Sequence, residues 1–290
     1  MNYEITHDTL YTYDRLVQLA PHTLRLRPRS DAIQTLSTFE LTIEPTPAKI
    51  VESIDLDGNS LTNIWFDEQE TSSLKISTRS QVITHRNNPF DFLLETWANQ
   101  LPIDYPMSLD RQLYPYLQSH LVDPIAYQLA QEIWMEANGN TINFLSILNQ
   151  RIYQQCSYSI REDGEPFPPS ITWQQKAGSC RDFSVLFMAV CQSIGLAARF
   201  VSGYEQGDPA QHENYLHAWV EVYLPGAGWR GYDPTHGLAV SDTHIALVAS
   251  PFSQKTTPIS GMIRPSPGVV SKMVYQLKIE TSDDKKKTDN

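Results

Sequence analysis

The chain of 290 residues carries only three cysteines, no dense run of basic side chains apart from "KKK" in its last ten residues, and nowhere an apolar stretch of about 18 residues. Each shortage excludes something. Cys156, Cys180 and Cys191 are irregularly spaced, so they form neither a disulfide framework nor a paired C-x-x-C metal site, and a reducing, cytoplasmic location is the expectation. With 22 Lys and Arg against 33 Asp and Glu, the formal charge is -11, which argues against a nucleic-acid partner. The opening "MNYEITHDTLYTYDRL" lacks the basic and apolar regions of a signal peptide, so neither export nor a membrane partner is expected. What is present is 41% hydrophobic and 10% aromatic residues, enough to pack one large domain or two ordinary ones.

Residues 1–90 read as strands and turns. Tyr3, Ile5, Tyr11 and Tyr13 share one period-2 face, Phe39, Leu41 and Ile43 share another, and Asp57-Gly58-Asn59 marks a turn. An antiparallel β-sandwich fits, and it contains no nucleophile with a base. Residues 91–122 are rich in Pro, Tyr and Leu without a clean period and read as a packed linker. Asp123 then caps a helix with Pro124 at its first position, carrying Ile125, Leu129 and Ile133 up to Asn138-Gly139. Thr141 is positioned to cap a second helix with Leu145, Leu148 and Ile152. "REDGEPFPPS" is a turn-rich loop.

"AGSCRDF" (177–183) raises the question of chemistry. Phe183, Leu186, Phe187, Val190, Cys191 and Ile194 form an apolar stripe ended by Gly195, with Ser179 and Asp182 as a short-armed capping box. Cys180 therefore sits at the first helical position, where unpaired N–H groups favour a thiolate and can hold an oxyanion. Cys191 lies two turns inside the stripe and Cys156 just past a helix; both read as core residues. Asp182 opposes a thiolate by its charge, so a cationic partner is required.

"YLHAWVEVYL" (215–224) alternates strictly, with His217, Trp219 and Glu221 on one face, and "PGAG" turns it into "WRGYDPT". If Tyr223 faces Trp229, Asp233 lies opposite Trp219 and diagonal to His217 on that same face. Pro234 ends the strand there. A helix-tip cysteine, a strand histidine and a same-face aspartate form the nucleophile, base and orienter of thiol acyl-transfer enzymes. His212, His217, His236 and His244 crowd this region, but their spacings match no zinc pattern, so no metal and no other cofactor are expected.

"GSCRDFSVLFMAVCQSIGLAARFVSGY", "LHAWVEVYLPGAGWRGYDPTHG" and "THIALVAS", in that order, resemble the bacterial transglutaminase-like thiol enzymes that carry an N-terminal β-domain, often described as cysteine proteases. "YEITHDTLYTY" with "HTLRLRPR" resembles the start of that β-domain. The resemblance implies an α+β fold with a papain-like core over residues 123–280, in which Cys180 attacks, His217 shuttles the proton and Asp233 orients the imidazole. Ser179 stands where many members have valine, and nothing resembles the calcium loops of animal transglutaminases, so calcium dependence is not carried over.

Beside the Cys180 N–H, the second oxyanion donor stays open among Trp173, Gln174, Gln175 and Tyr158, and Trp219 is a further cleft candidate. The expected substrate is a peptide or protein amide. Hydrolysis is favoured, because no second, amine-recognising surface is evident; amine transfer and a non-catalytic peptide-binding scaffold are the alternatives. His244 is expected to border the cleft in a structural role. The N-terminal domain could steer substrates, cover the cleft or mediate a homo-oligomer. Met273, Tyr275, Leu277 and Ile279 alternate as a final strand returning to the sheet, and residues 281–290 read as a disordered tail.

Overall fold

The computed structural model describes residues 1–118, 123–161, 164–207, 216–264 and 267–281. Five strands come first: β1 (Asn2–Leu24), β2 (Gln34–Glu44), β3 (Lys49–Ile54), β4 (Ser60–Trp65) and β5 (Glu70–Thr84). They are followed by α1 (Met107–Leu117), α2 (Pro124–Glu136), α3 (Thr141–Gln155), β6 (Ser157–Tyr158), α4 (Pro169–Gln175), β7 (Ala177–Gly178) and α5 (Cys180–Ser193). The chain ends with β8 (Ala198–Glu205), β9 (Leu216–Leu224), β10 (Gly228–Asp233), β11 (Leu238–Ala239), β12 (His244–Ser250), β13 (Ile259–Ile263) and β14 (Ser271–Thr281). The fold is α+β, as expected.

The long strand β1 organises the N-terminal layer. Its first half pairs with β5 and β14, and its second half with β4 and β13, so two antiparallel sheets share one strand and curl into a half-barrel. Register shifts between Thr12 and Val17 and between Leu19 and His22 mark where the strand bends. Inside the curl, Val17, Leu19, Leu24, Ile64, Leu74 and Ile76 form a closed apolar core.

The second layer is an antiparallel sheet in the order β11-β10-β9-β8-β12. α5 covers one face, packing Phe183, Leu186, Phe187 and Val190 against Ala218, Val220 and Val222; each such side chain contributes about 1.5–3 kcal/mol through burial. Trp219, Val201, Val240, Ala246 and Ala249 fill part of the other face. Burial on both faces explains why "HIALVAS" shows no alternation: all seven residues of β12 are buried.

The layers are joined by packing and by hydrogen bonds. Tyr3, Ile5, Val82 and Leu277 of the half-barrel meet Tyr204, Ile245 and Leu247 of the core sheet. β12 is an edge strand, and two half-barrel amides satisfy its outward backbone groups. Gln34 accepts from Ala246 N–H at 2.8 Å and donates to its carbonyl at 3.0 Å; Asn59 does the same for Ala249 at 2.9 and 2.7 Å.

Three expectations are corrected. The stretch 91–122 contains α1, unseen because Pro115 lies inside the helix and only Leu113 of its residues is buried, leaving almost no stripe to read. The cap of α3 is Asn140, whose side chain accepts from Asn143 N–H, while the Thr141 hydroxyl donates to the Ala98 carbonyl. The final strand does return to a sheet, but to the N-terminal one: β14 pairs with β1 from Tyr3 to Tyr13, so the span 123–280 is not one structural layer. The expected tail falls, from residue 282 on, outside the described residues.

Candidate active site

Cys180 begins α5, as the stripe and cap imply. The tip is held by Asp182, whose carboxylate accepts from the Ser179 N–H at 2.7 Å and the Ser179 hydroxyl at 2.8 Å. The same carboxylate accepts from the Phe167 N–H at 2.6 Å and from the Arg161 guanidinium. Burial works against its charge, yet these donors outweigh burial and hold the carboxyl below its ordinary range. The cationic partner that the sequence requires against Asp182 is Arg161, from the turn-rich loop.

β9 places His217 and β10 places Asp233. Trp229 pairs with Tyr223, the register expected, and the ladder continues to Tyr232 opposite Val220. His217 is paired across β8 with Gly203, where any side chain would meet the Ile245 carbonyl at 2.2 Å and the Trp219 ring at 2.6 Å. A glycine there lets the Trp219 ring lie over β8, stacked on His217 with centroids 6.3 Å apart. His217 Nε2 lies 2.8 Å from Asp233 Oδ2, and Cys180 is close enough to raise the proton affinity of the His217 ring. Cys180 and His217 both line one cleft of about 510 Å³.

Further groups surround this line. His244 Nε2 is 3.2 Å from the same Asp233 oxygen, and the Thr235 N–H donates to the other at 2.9 Å. Glu205, at the end of β8, lies 3.5 Å from His217 Nε2 and shares a 2.9 Å hydrogen bond with His236.

Two family models match the chain: the bacterial transglutaminase-like N-terminal region over residues 3–83 and the transglutaminase-like superfamily over residues 127–234. An uncharacterized protein of Mycobacterium leprae is 30% identical over 89% of this chain and 91% of its own length. The chain belongs to the transglutaminase-like superfamily. A protein-glutamine gamma-glutamyltransferase of Pseudomonas aeruginosa is 28% identical over 40% of this chain and 19% of its own. A crystal structure of a candidate cysteine protease from Cytophaga hutchinsonii has the same fold, with TM-score 0.72 and 18% identity over 98% of this chain and 92% of that one.

Within this transglutaminase-like site the electrostatics follow from the partners. Burial alone would lower the proton affinity of His217, but the Asp233 charge and hydrogen bond, with Cys180, raise it well above an ordinary imidazole. Burial alone would raise Asp233; the two histidines pull it well below an ordinary carboxyl. Burial pushes the Cys191 thiol well above its usual value and raises Cys156 as well, in line with core roles for both.

Of the candidate oxyanion and cleft residues in this transglutaminase-like core, Tyr158 lines the cleft, whereas Trp173, Gln174 and Gln175 are not among its lining residues. The Trp173 ring is covered by the Lys176 ammonium, 2.8 Å from its centroid. Trp219 is buried behind His217. His212 lies outside the described residues. Sequence reasoning missed Arg161 and Glu205 and placed His244 only at the border; Glu205 had no local signal, since cross-strand pairing with His244 is what brings it in.

Glu205, His217, Asp233 and His244 bring one ligand atom each within 4.8 Å of one another, a donor set chemically able to hold a divalent ion. The shortest spacing, 2.8 Å, is that of a hydrogen bond. It lies below the roughly 3.3 Å between ligand atoms on a tetrahedral ion with bonds of about 2.0 Å. Shared protons account for the 2.8 Å and 3.2 Å spacings of His217 and His244 from Asp233.

Proposed function

We propose that this transglutaminase-like protein is a thiol acyl-transfer enzyme acting on peptide or protein amides, with Cys180 as nucleophile, His217 as general acid and base, and Asp233 as orienter. The observation that carries the reading is that Cys180 and His217 open to one cleft, with His217 held by Asp233 at 2.8 Å and its proton affinity raised by Asp233 and Cys180. Cys180 Sγ gives its proton to His217 Nδ1 and attacks the amide carbonyl. The oxyanion is met by the Cys180 N–H at the tip of α5, with the Tyr158 hydroxyl as the side-chain candidate in the cleft. The imidazolium, held by Asp233, returns the proton to the departing amine and leaves a thioester. His217 then takes a proton from water, whose oxygen attacks the thioester, and the thiol re-forms with release of the acid.

Hydrolysis is the outcome we favour; the resemblance of part of the core to a protein-glutamine gamma-glutamyltransferase supports amine transfer as the second reading. Incubating a protein substrate with and without a fluorescent primary amine, followed by mass spectrometry, separates the two. Cleavage or deamidation without label marks hydrolysis, and covalent amine incorporation marks transfer. Cys180→Ala should abolish both while leaving the thermal unfolding transition in place, a loss of at least about 10⁴-fold. Retained turnover in that variant overturns the assignment.

A further inference from the structure

The cleft has two walls of different origin. Cys180, His217, Phe200 and Leu216 belong to the core, whereas His7, Thr9 and Tyr11 of β1 and Met273 and Tyr275 of β14 belong to the half-barrel. The register sets Thr9 opposite Tyr275 and Tyr11 opposite Met273, so four side chains form one continuous patch on a single sheet face. The first and last strands of the fold thus complete a site whose reacting groups lie in its middle.

The cationic groups that line the cleft belong to its core side and are held there by hydrogen bonds. Arg161 donates to Asp182 and to the Glu165 carbonyl, and Arg181 donates to the carbonyls of Gly164 and Arg161. His7 lies between two hydroxyls, Tyr204 and Thr9, and burial keeps it neutral. Glu165 is exposed at the mouth. Among the described residues, a charged substrate side chain entering between the walls would lose its water and gain no opposite charge from the half-barrel. An aromatic or large aliphatic side chain would instead bury its area against Tyr11, Tyr275 and Met273, with ring edges and faces available on both tyrosines. A volume of about 510 Å³ suits one large side chain with the backbone on either side of it.

We propose that the half-barrel face formed by Thr9, Tyr11, Met273 and Tyr275 reads the acyl donor, an extended peptide whose residue next to the reactive carbonyl carries an uncharged aromatic or large aliphatic side chain. The inference rests on the reading of Cys180 as the nucleophile. It assigns the N-terminal layer a direct part in specificity.

Rates of Cys180 modification in the full chain test it, using peptidyl fluoromethyl ketones with Phe or Asp next to the reactive carbonyl, and iodoacetamide, which is too small to need the wall. The Phe reagent should react at least about tenfold faster than the Asp reagent. Thr9→Trp, and Met273→Trp at the more exposed position, should each lower the ratio of the Phe-reagent rate to the iodoacetamide rate at least about tenfold. Equal rates for the two peptidyl reagents, or an unchanged ratio in the folded variants, overturns the inference. If iodoacetamide shows no His217-dependent reaction at Cys180 in the unaltered protein, the nucleophile reading falls, and the inference with it.

Discussion

Two buried histidines face the same cleft from opposite walls, and they hold protons in opposite ways. His7, on the half-barrel, is 1% exposed, with its ring nitrogens 3.0 Å from the Tyr204 hydroxyl and 3.2 Å from the Thr9 hydroxyl. Burial lowers its proton affinity to about 4, and the Asp8 charge recovers only part of the loss. His217, on the core sheet, is 7% exposed and suffers the same penalty, but Asp233 lies at 2.8 Å and its affinity is raised instead. Desolvation is common to both; the charge of the partner decides the sign. A neutral imidazole suits a binding wall, and one that readily becomes imidazolium suits proton transfer.

Taking away the partner's charge while keeping its shape should make His217 resemble His7. In Asp233→Asn, His217 is expected to titrate below the ordinary imidazole value of 6.5. Turnover should fall by about 10³–10⁴-fold, as when a triad carboxylate becomes an amide. Ring-carbon NMR titration beside steady-state kinetics checks both, and a His217 that still titrates high would show that another group supplies the charge.

A smaller effect tests the other wall. Folded His7 takes its proton only near pH 4, whereas the unfolded chain takes it near 6.5, so the unfolded state binds more protons between these values. The contribution is therefore complete above about pH 6.5 and is lost as pH falls towards 4, by on the order of 3 kcal/mol. For His217 the sign is reversed: its contribution is complete below about 6.5 and is lost as pH rises through its raised folded value. His7→Gln keeps a neutral hydrogen-bonding group, so denaturant melts at pH 7 and 4.5 should differ less in this variant than in the unaltered chain. An unchanged difference would place the acid sensitivity elsewhere.

The smallest change is expected at Glu205. Its carboxylate is 3.5 Å from His217 and 2.9 Å from His236, on a side chain still 15% exposed. Glu205→Gln should lower the proton affinity of His236 towards its ordinary value and that of His217 by less than about one pH unit. The alkaline limb of the rate of Cys180 alkylation against pH reads this directly. A shift larger than that produced by Asp233→Asn would reverse the order of the two carboxylates.

Much of the site was legible because its parts are local. The start of α5 at Cys180 follows from Ser179, Asp182 and a stripe ending at Gly195, all within one helix and its flanks. The pairing of Trp229 with Tyr223 follows from a short turn and strict alternation, so the shared face of His217 and Asp233 needs no knowledge of the rest of the fold. α1 was not legible, since a helix that buries only Leu113 leaves no period to detect. Arg161, Glu205 and His244 were not legible in their roles either. Each reaches the site through a loop or a strand pairing distant in sequence, and a single sequence carries no direct record of such a contact.

Residue order alone settled the helix tip that presents Cys180 and the hairpin that gathers an imidazole and a carboxylate, because helix caps, stripes and hairpin parity act over a few residues, while the α+β class came with the family resemblance. Which layer the last strand joins, which cation answers Asp182, and which surface faces Cys180 across the cleft depended on the packed fold. Those outcomes are set by burial and charge summed over segments far apart in the chain, as when β14 zips onto β1 and turns the half-barrel's inner face into the second wall of the site.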